Sequence, residues 1–184
     1  MRTLLLVRHT EVARAWRERC YGQSDMGLSR AGAAQASALA PDLAAWRPDV
    51  VLHSGLRRAQ ILADAIAKRA GVAALADLRW MERDFGSWEG RSWAAIYRET
   101  GSAMDGMIDD PAGFRPGNGE TTMELAARAL AAVQDLPSGR VLVVTHGGPI
   151  AAIIGTRLGK SVQDWPTLVP PLGTSVALDI GGDV

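Results

Sequence analysis

Three apolar runs in this chain each end on a histidine. They read Leu4-Leu5-Leu6-Val7-Arg8-His9, Val50-Val51-Leu52-His53 and Val141-Leu142-Val143-Val144-Thr145-His146, and the chain has no other histidine. Short runs of this kind fit strands buried on both faces, as in a parallel sheet covered by helices. In open sheets of that class the ligand site lies beyond the carboxyl ends of the strands. If the three strands are parallel neighbours, His9, His53 and His146 converge on one rim.

Helical patterns fill the gaps between these strands, so the fold class reads as α/β with a central, mostly parallel sheet flanked by helices. Ser29 N-caps a helix through about Trp46, and Asp49 to Leu52 is the second strand. Ala59, Leu62, Ala63 and Ile66 repeat at helical spacing toward Ala70, with Gly71 as the stop. Thr121 and Glu124 form a capping box for a helix whose apolar stripe reads as Met123, Ala126, Ala127, Leu130 and Val133. Pro137-Ser138-Gly139 turns into the strand Arg140 to Thr145; a helix over Pro149 to Leu158 and a last strand over Ser175 to Ile180 complete the pattern. From 77 to 118 the chain is rich in Gly, Trp and Asp, with short helices at most. An insertion of that composition is expected to cover a site. The whole, 1–184, is expected to be one domain, long enough to bury roughly 70% of its unfolded surface.

Composition removes several classes. Lys+Arg and Asp+Glu both number 20, giving formal net charge zero, so neither nucleic acid nor a membrane surface is expected as a partner. No apolar run reaches the ~18 residues of a membrane span, and the amino end is too short for a signal-peptide core. Cys20 is the one cysteine, so the cytoplasm is the expected compartment. Only Lys68 and Lys160 are lysines. An arginine in so arginine-biased a chain carries weight only inside a motif.

Arg8 precedes His9, and Arg57-Arg58 open a helix after Ser54-Gly55. Guanidinium groups beside imidazoles and a helix N-terminus describe an anion pocket suited to phosphate. Of the two adjacent arginines, one is expected to be a plain surface residue. An acid is offered by Trp80-Met81-Glu82-Arg83-Asp84-Phe85-Gly86-Ser87-Trp88-Glu89-Gly90, where bulky apolar neighbours would desolvate a carboxyl and raise its pKa. By composition alone Glu82 and Glu89 both qualify.

These residues together resemble the histidine phosphatase superfamily, the phosphoglycerate-mutase-like fold. The resemblance runs in order through Val7-Arg8-His9-Thr10-Glu11, Tyr21-Gly22-Gln23-Ser24-Asp25, Leu28-Ser29-Arg30-Ala31-Gly32, Ser54-Gly55-Leu56-Arg57-Arg58-Ala59, the Glu82–Gly90 stretch, Gly119-Glu120-Thr121 and Val144-Thr145-His146-Gly147-Gly148. Cys20-Tyr21-Gly22 and Phe85-Gly-x-Trp-Glu-Gly-Arg look most like the alpha-ribazole phosphatase branch of cobalamin biosynthesis. The resemblance implies a phosphomonoesterase with His9 as the nucleophile that becomes phosphohistidine. It makes Arg8, Arg58 and His146 the phosphate pocket and Glu82 the proton donor and acceptor, with Tyr21, Gly22 and Gly147 at the substrate. No cofactor and no metal is implied, and the partner is a small phosphorylated metabolite. Arg57 is left at the surface.

Two departures from the family pattern matter at the phosphate. Thr10 replaces the usual glycine after the histidine, and its hydroxyl either touches phosphate or fits the turn. Ala15 replaces an asparagine often found six residues after the histidine, which takes away one phosphate contact. His53 stands where a small hydroxyl residue is common and is read as a packing residue. A phosphoglycerate mutase would use the same histidine; the family's mutases carry added segments over the site, so in a chain ending at Val184 hydrolysis is the expected outcome. A non-catalytic phospho-ligand module would be expected to have lost the nucleophile or the acid, and both are present. Monomer and homodimer both stay open, since tryptophans of the insertion could serve a substrate or a partner.

Overall fold

The structure, a computed structural model, describes residues 2–181; Met1 and residues 182–184 of the expected domain lie outside it. Among the described residues five strands form one sheet: β1 (Arg2–Arg8), β2 (Val50–His53), β3 (Ala74–Ala76), β4 (Gly139–Thr145) and β5 (Ser175–Asp179), in the order β3-β2-β4-β1-β5. All neighbours are parallel except β5, which runs antiparallel to β1. β1 and β4 lie inside the sheet with helices on both faces, which is why their apolar runs are continuous.

Alternate residues of these strands supply two cores. Leu4, Leu6, Val141 and Val143 pack with Ile150, Ile153, Ala129 and Val133 from helices α5 (Thr122–Gln134) and α6 (Gly147–Arg157). Leu5, Val7, Leu142 and Val144 face Ala36, Ala40, Leu62 and Ile66 from α1 (Arg30–Ala45) and α2 (Arg57–Ala70). The helix boundaries follow local chemistry. Ser29 Oγ accepts the Gly32 N–H at 2.9 Å, Thr121 and Glu124 complete a reciprocal capping box, and Gly71 ends α2 in the left-handed region. The stripe expected on α5 is rotated: Met123 and Ala127 are exposed, and the buried face is Thr122, Leu125, Ala126, Ala129, Ala132 and Val133.

The insertion holds the short helix α3 (Trp93–Thr100), the single turn α4 (Gly106–Asp109) and several 3-10 turns. It has a small core of its own, in which Trp88 and Ile96 close over Cys20. Among the described residues no helix is long and apolar enough to cross a membrane.

Candidate active site

Strand register decides which histidines meet. Arg8 pairs with Thr145, so His9 and His146 each stand one residue past a paired position, and their ring centroids are 5.0 Å apart. On the other side of β4, His53 pairs with Val144, one step earlier. Ser54 is therefore the residue that reaches the rim, with its Oγ 2.8 Å from His146 Nε2. His53 is buried, and its Nδ1 accepts the Gly55 N–H at 3.1 Å. Two histidines converge rather than three, and His53 packs beneath the rim.

His9 Nδ1 lies 2.7 Å from the Thr10 carbonyl oxygen. A carbonyl can only accept, so Nδ1 carries the proton and Nε2 keeps its lone pair. Burial, with the charges of Arg58 and Arg8, lowers the His9 pKa to about 3. The ring is thus neutral and nucleophilic at ordinary pH. The Thr10 hydroxyl donates to the Gly32 carbonyl at 2.8 Å, which ties the turn after β1 to α1 and commits the hydroxyl proton. Ala15 is exposed in the 3-10 turn Arg14–Trp16 and offers no polar atom of its own side chain.

Arg58 is completely buried. Its Nη atoms donate to the carbonyls of Ser24 (2.8 Å), Tyr21 (3.3 Å) and Gly22, so the 21–24 loop aims the guanidinium. Arg8 Nη1 donates to the Pro170 carbonyl at 2.7 Å. After these bonds, Arg8 Nε, Arg58 Nε and His146 Nδ1 are buried with no hydrogen-bond partner. Orphaned buried polar atoms are rare and costly. Trp80 Nε1, in the main core, is a fourth such atom; the other three sit on residues whose charges or ring lie beside His9, where an anion with several acceptor oxygens would supply partners. Arg57 is exposed, and only its backbone N–H is used, donating to Asp25 Oδ1 at 2.7 Å. It is the surface member of the pair.

A cavity of about 320 Å³ opens above His9, lined by Arg8, Tyr21, Gly22, Glu82, Gly147 and Gly148, with Arg17, Arg19 and Arg83 also on its walls. Glu82 brings the carboxylate. It accepts the N–H groups of Arg83 (2.9 Å) and Gly148 (3.1 Å), the second at the start of α6. A Cβ on Gly148 would lie 2.2 Å from Glu82 Oε1, so glycine at that position makes room for the carboxylate. The apolar neighbours expected to crowd Glu82 turn elsewhere. Trp80 enters the main core and Trp88 the core of the insertion, and of the three only Phe85 also reaches the cavity wall. Backbone amides surround the carboxylate instead.

Glu89 is used up. Its carboxylate accepts the N–H groups of Gln23 (2.7 Å), Ser24 (2.8 Å) and Phe85 (3.3 Å), and the Ser24 hydroxyl. It holds the loop that aims Arg58 and does not line the cavity. His146 is also less charged than the anion-pocket reading assumed: burial, with Arg58, His9 and Arg8 nearby, holds its pKa well below 6.5. In the free protein the two guanidinium groups carry the positive charge.

Sequence reasoning missed the clamp beneath Glu82. Arg128 grips Glu120 with two bonds of 2.7 and 2.8 Å, and donates to the carbonyls of Arg79 (2.8 Å), Met81 (2.7 Å) and Glu82 (3.0 Å). It thereby fixes the backbone that presents the carboxylate. Glu120 lay within the Gly-Glu-Thr motif, but nothing marked Arg128 among twenty basic residues.

Comparison with known proteins gives the family. The family model described as histidine phosphatase superfamily (branch 1) matches residues 4–183. A glucosyl-3-phosphoglycerate phosphatase of Mycolicibacterium vanbaalenii is 33% identical over 179 residues, covering 91% of this chain and 79% of the relative. A probable phosphoglycerate mutase of Cronobacter sakazakii is 32% identical over 163 residues, covering 86% and 76%. The crystal structure of the alpha-ribazole phosphatase from Shigella flexneri superposes with a TM-score of 0.82 at 25% identity, covering 97% of this chain and 91% of that one. With its paired histidines, two inward guanidiniums and carboxylate on one rim, the chain belongs to the histidine phosphatase superfamily.

Proposed function

We propose that the chain is a phosphomonoesterase working through phosphohistidine on a small phosphorylated metabolite. The observation that carries this reading is the trio of unpartnered buried nitrogens on Arg8, Arg58 and His146 around a neutral His9. His9 Nε2 attacks phosphorus in line, and the ester P–O bond breaks as the P–N bond forms. The guanidinium groups, and His146 through Nδ1, hold the equatorial oxygens, where negative charge collects in the transition state. Glu82 gives a proton to the leaving oxygen, releasing the alcohol. It then takes a proton from the water that attacks phosphorus, and the P–N bond breaks to give inorganic phosphate and His9.

For the leaving group, resemblance at Cys20-Tyr21-Gly22 and the likeness to the Shigella enzyme favour alpha-ribazole 5′-phosphate. The named relatives favour a phosphorylated sugar acid, and the arginines on the cavity wall suit its carboxylate. A panel holding alpha-ribazole 5′-phosphate, glucosyl-3-phosphoglycerate and 3-phosphoglycerate with a bisphosphoglycerate primer tests both points. Inorganic phosphate is the expected main product. If conversion of 3- to 2-phosphoglycerate outruns phosphate release, the enzyme is a mutase.

A further inference from the structure

A second cavity of about 200 Å³ adjoins the one above His9 and shares Arg83, Gly148 and Val169 with it. Its remaining walls come from the turn α4 (Met107, Ile108), from Leu125 and Ala151, and from Val162 and Trp165 in the 3-10 segment Val162–Leu168. These walls are hydrocarbon. Thr122 and Trp165 carry the polar atoms of this lining, but the Thr122 hydroxyl already donates to the Met107 carbonyl at 2.6 Å and the Trp165 indole N–H to the Lys160 carbonyl at 3.3 Å. Apart from the Arg83 guanidinium at the boundary, no side chain there offers a hydrogen bond to a ligand.

The position of this cavity is as informative as its lining. The Glu82 carboxylate rests on the Gly148 N–H, and Gly148 is one of the residues that both cavities share. On the proposed mechanism the leaving oxygen faces Glu82, so the alcohol carrying that oxygen extends from the junction of the two spaces. One direction offers a mixed mouth, where Arg17 and Arg19 stand beside Phe85 and Trp93; the other offers almost only apolar surface. We propose that the second cavity is a leaving-group subsite, taking a ring-sized or short-chain apolar portion of the substrate alcohol; this rests on the phosphatase reading. The volume suits such a group, since an engineered apolar cavity of about 150 Å³ admits benzene.

The test is a series of straight-chain alkyl phosphates from ethyl to octyl, whose leaving oxygens have near-constant basicity, so chain length changes burial and not chemistry. Phosphate release is measured as kcat/KM. The expected result is a rise of about three- to four-fold per added methylene, levelling once the cavity is full. Ile108→Trp and Val162→Phe, which fill the cavity at two partly exposed positions, should leave ethyl phosphate turnover unchanged and flatten the rise. A flat series in the unmodified protein, or a rise that survives in both variants, overturns the inference while leaving the phosphatase reading intact. Absence of phosphate release from every ester, including p-nitrophenyl phosphate, overturns the phosphatase reading and this inference with it.

Discussion

Gly148→Ala separates the placement of the carboxylate from the stability of the fold. Gly148 lies in the first turn of α6 and is not among the glycines with positive φ, so its backbone accepts alanine. Helix propensity favours the change by up to ~1 kcal/mol. The new Cβ would stand 2.2 Å from Glu82 Oε1, where ordinary contact begins at 3.4 Å, and 3.1 Å from Leu125 Cδ2. The carboxylate is the free end of a flexible side chain, so it moves by about 1 Å and the helix does not. A displacement of that size at a reacting group costs on the order of 10²-fold, below the 10²- to 10⁴-fold worth of a whole general acid at its upper end. In steady-state assays kcat/KM for alkyl phosphates should fall roughly 10- to 100-fold. p-Nitrophenyl phosphate, whose leaving group departs without a proton, should lose much less, and the melting temperature should shift by less than ~4 °C. Glu89→Gln should show no such dependence on the leaving group. Full activity of Gly148→Ala on alkyl esters, or equal losses on both ester types, would refute the assignment of Glu82 as the acid.

Arg57→Ala should leave kcat/KM within about twofold, as for an exposed side chain without side-chain bonds, whereas Arg58→Ala should remove most activity; equal losses would count against the anion pocket. Stability should fall on acidification. The His9 pKa is depressed to about 3, so between the unfolded value near 6.5 and that point only the unfolded chain binds the proton, and stability present above 6.5 is lost as pH drops. The loss from His9 reaches about 2 kcal/mol by pH 5. Urea unfolding of His9→Asn at pH 7.5 and 5 should show a correspondingly shallower loss than the unmodified protein, and an identical loss would show that His9 is not buried neutral.

The parts of this molecule written in the sequence are those where one residue type has one job. Continuous apolar runs identified β1, β2 and β4 because strands buried on both faces need nothing else. Ser29, Gly71 and the Thr121–Glu124 box marked helix ends through local hydrogen bonding. β3 escaped notice because Ala74-Leu75-Ala76 has no β-branched residue and exists as a strand through its pairing with β2. The buried face of α5 was misread because alanine fills it on all sides, which blurs the period. At the site, His9, Arg8 and His146 were legible as strand ends. Composition left Glu82 and Glu89 equal, and only the family resemblance chose Glu82; the tertiary bonds of Glu89 to the 23–24 backbone could not be read from either. Ser54 and Arg128 act through partners 92 and 8 or more residues away, a separation that no local pattern encodes.

In the proposed mechanism His9 is the group that takes the phosphoryl. Rapid mixing with a saturating phosphate ester, quenching in alkali, digestion and mass spectrometry of the peptides would test it most directly. Phosphate is expected on the peptide holding His9, stable in base and lost in acid, formed at least as fast as turnover and absent from His9→Ala, which should release no phosphate. Phosphate on another residue, or sustained turnover by His9→Ala, would contradict it.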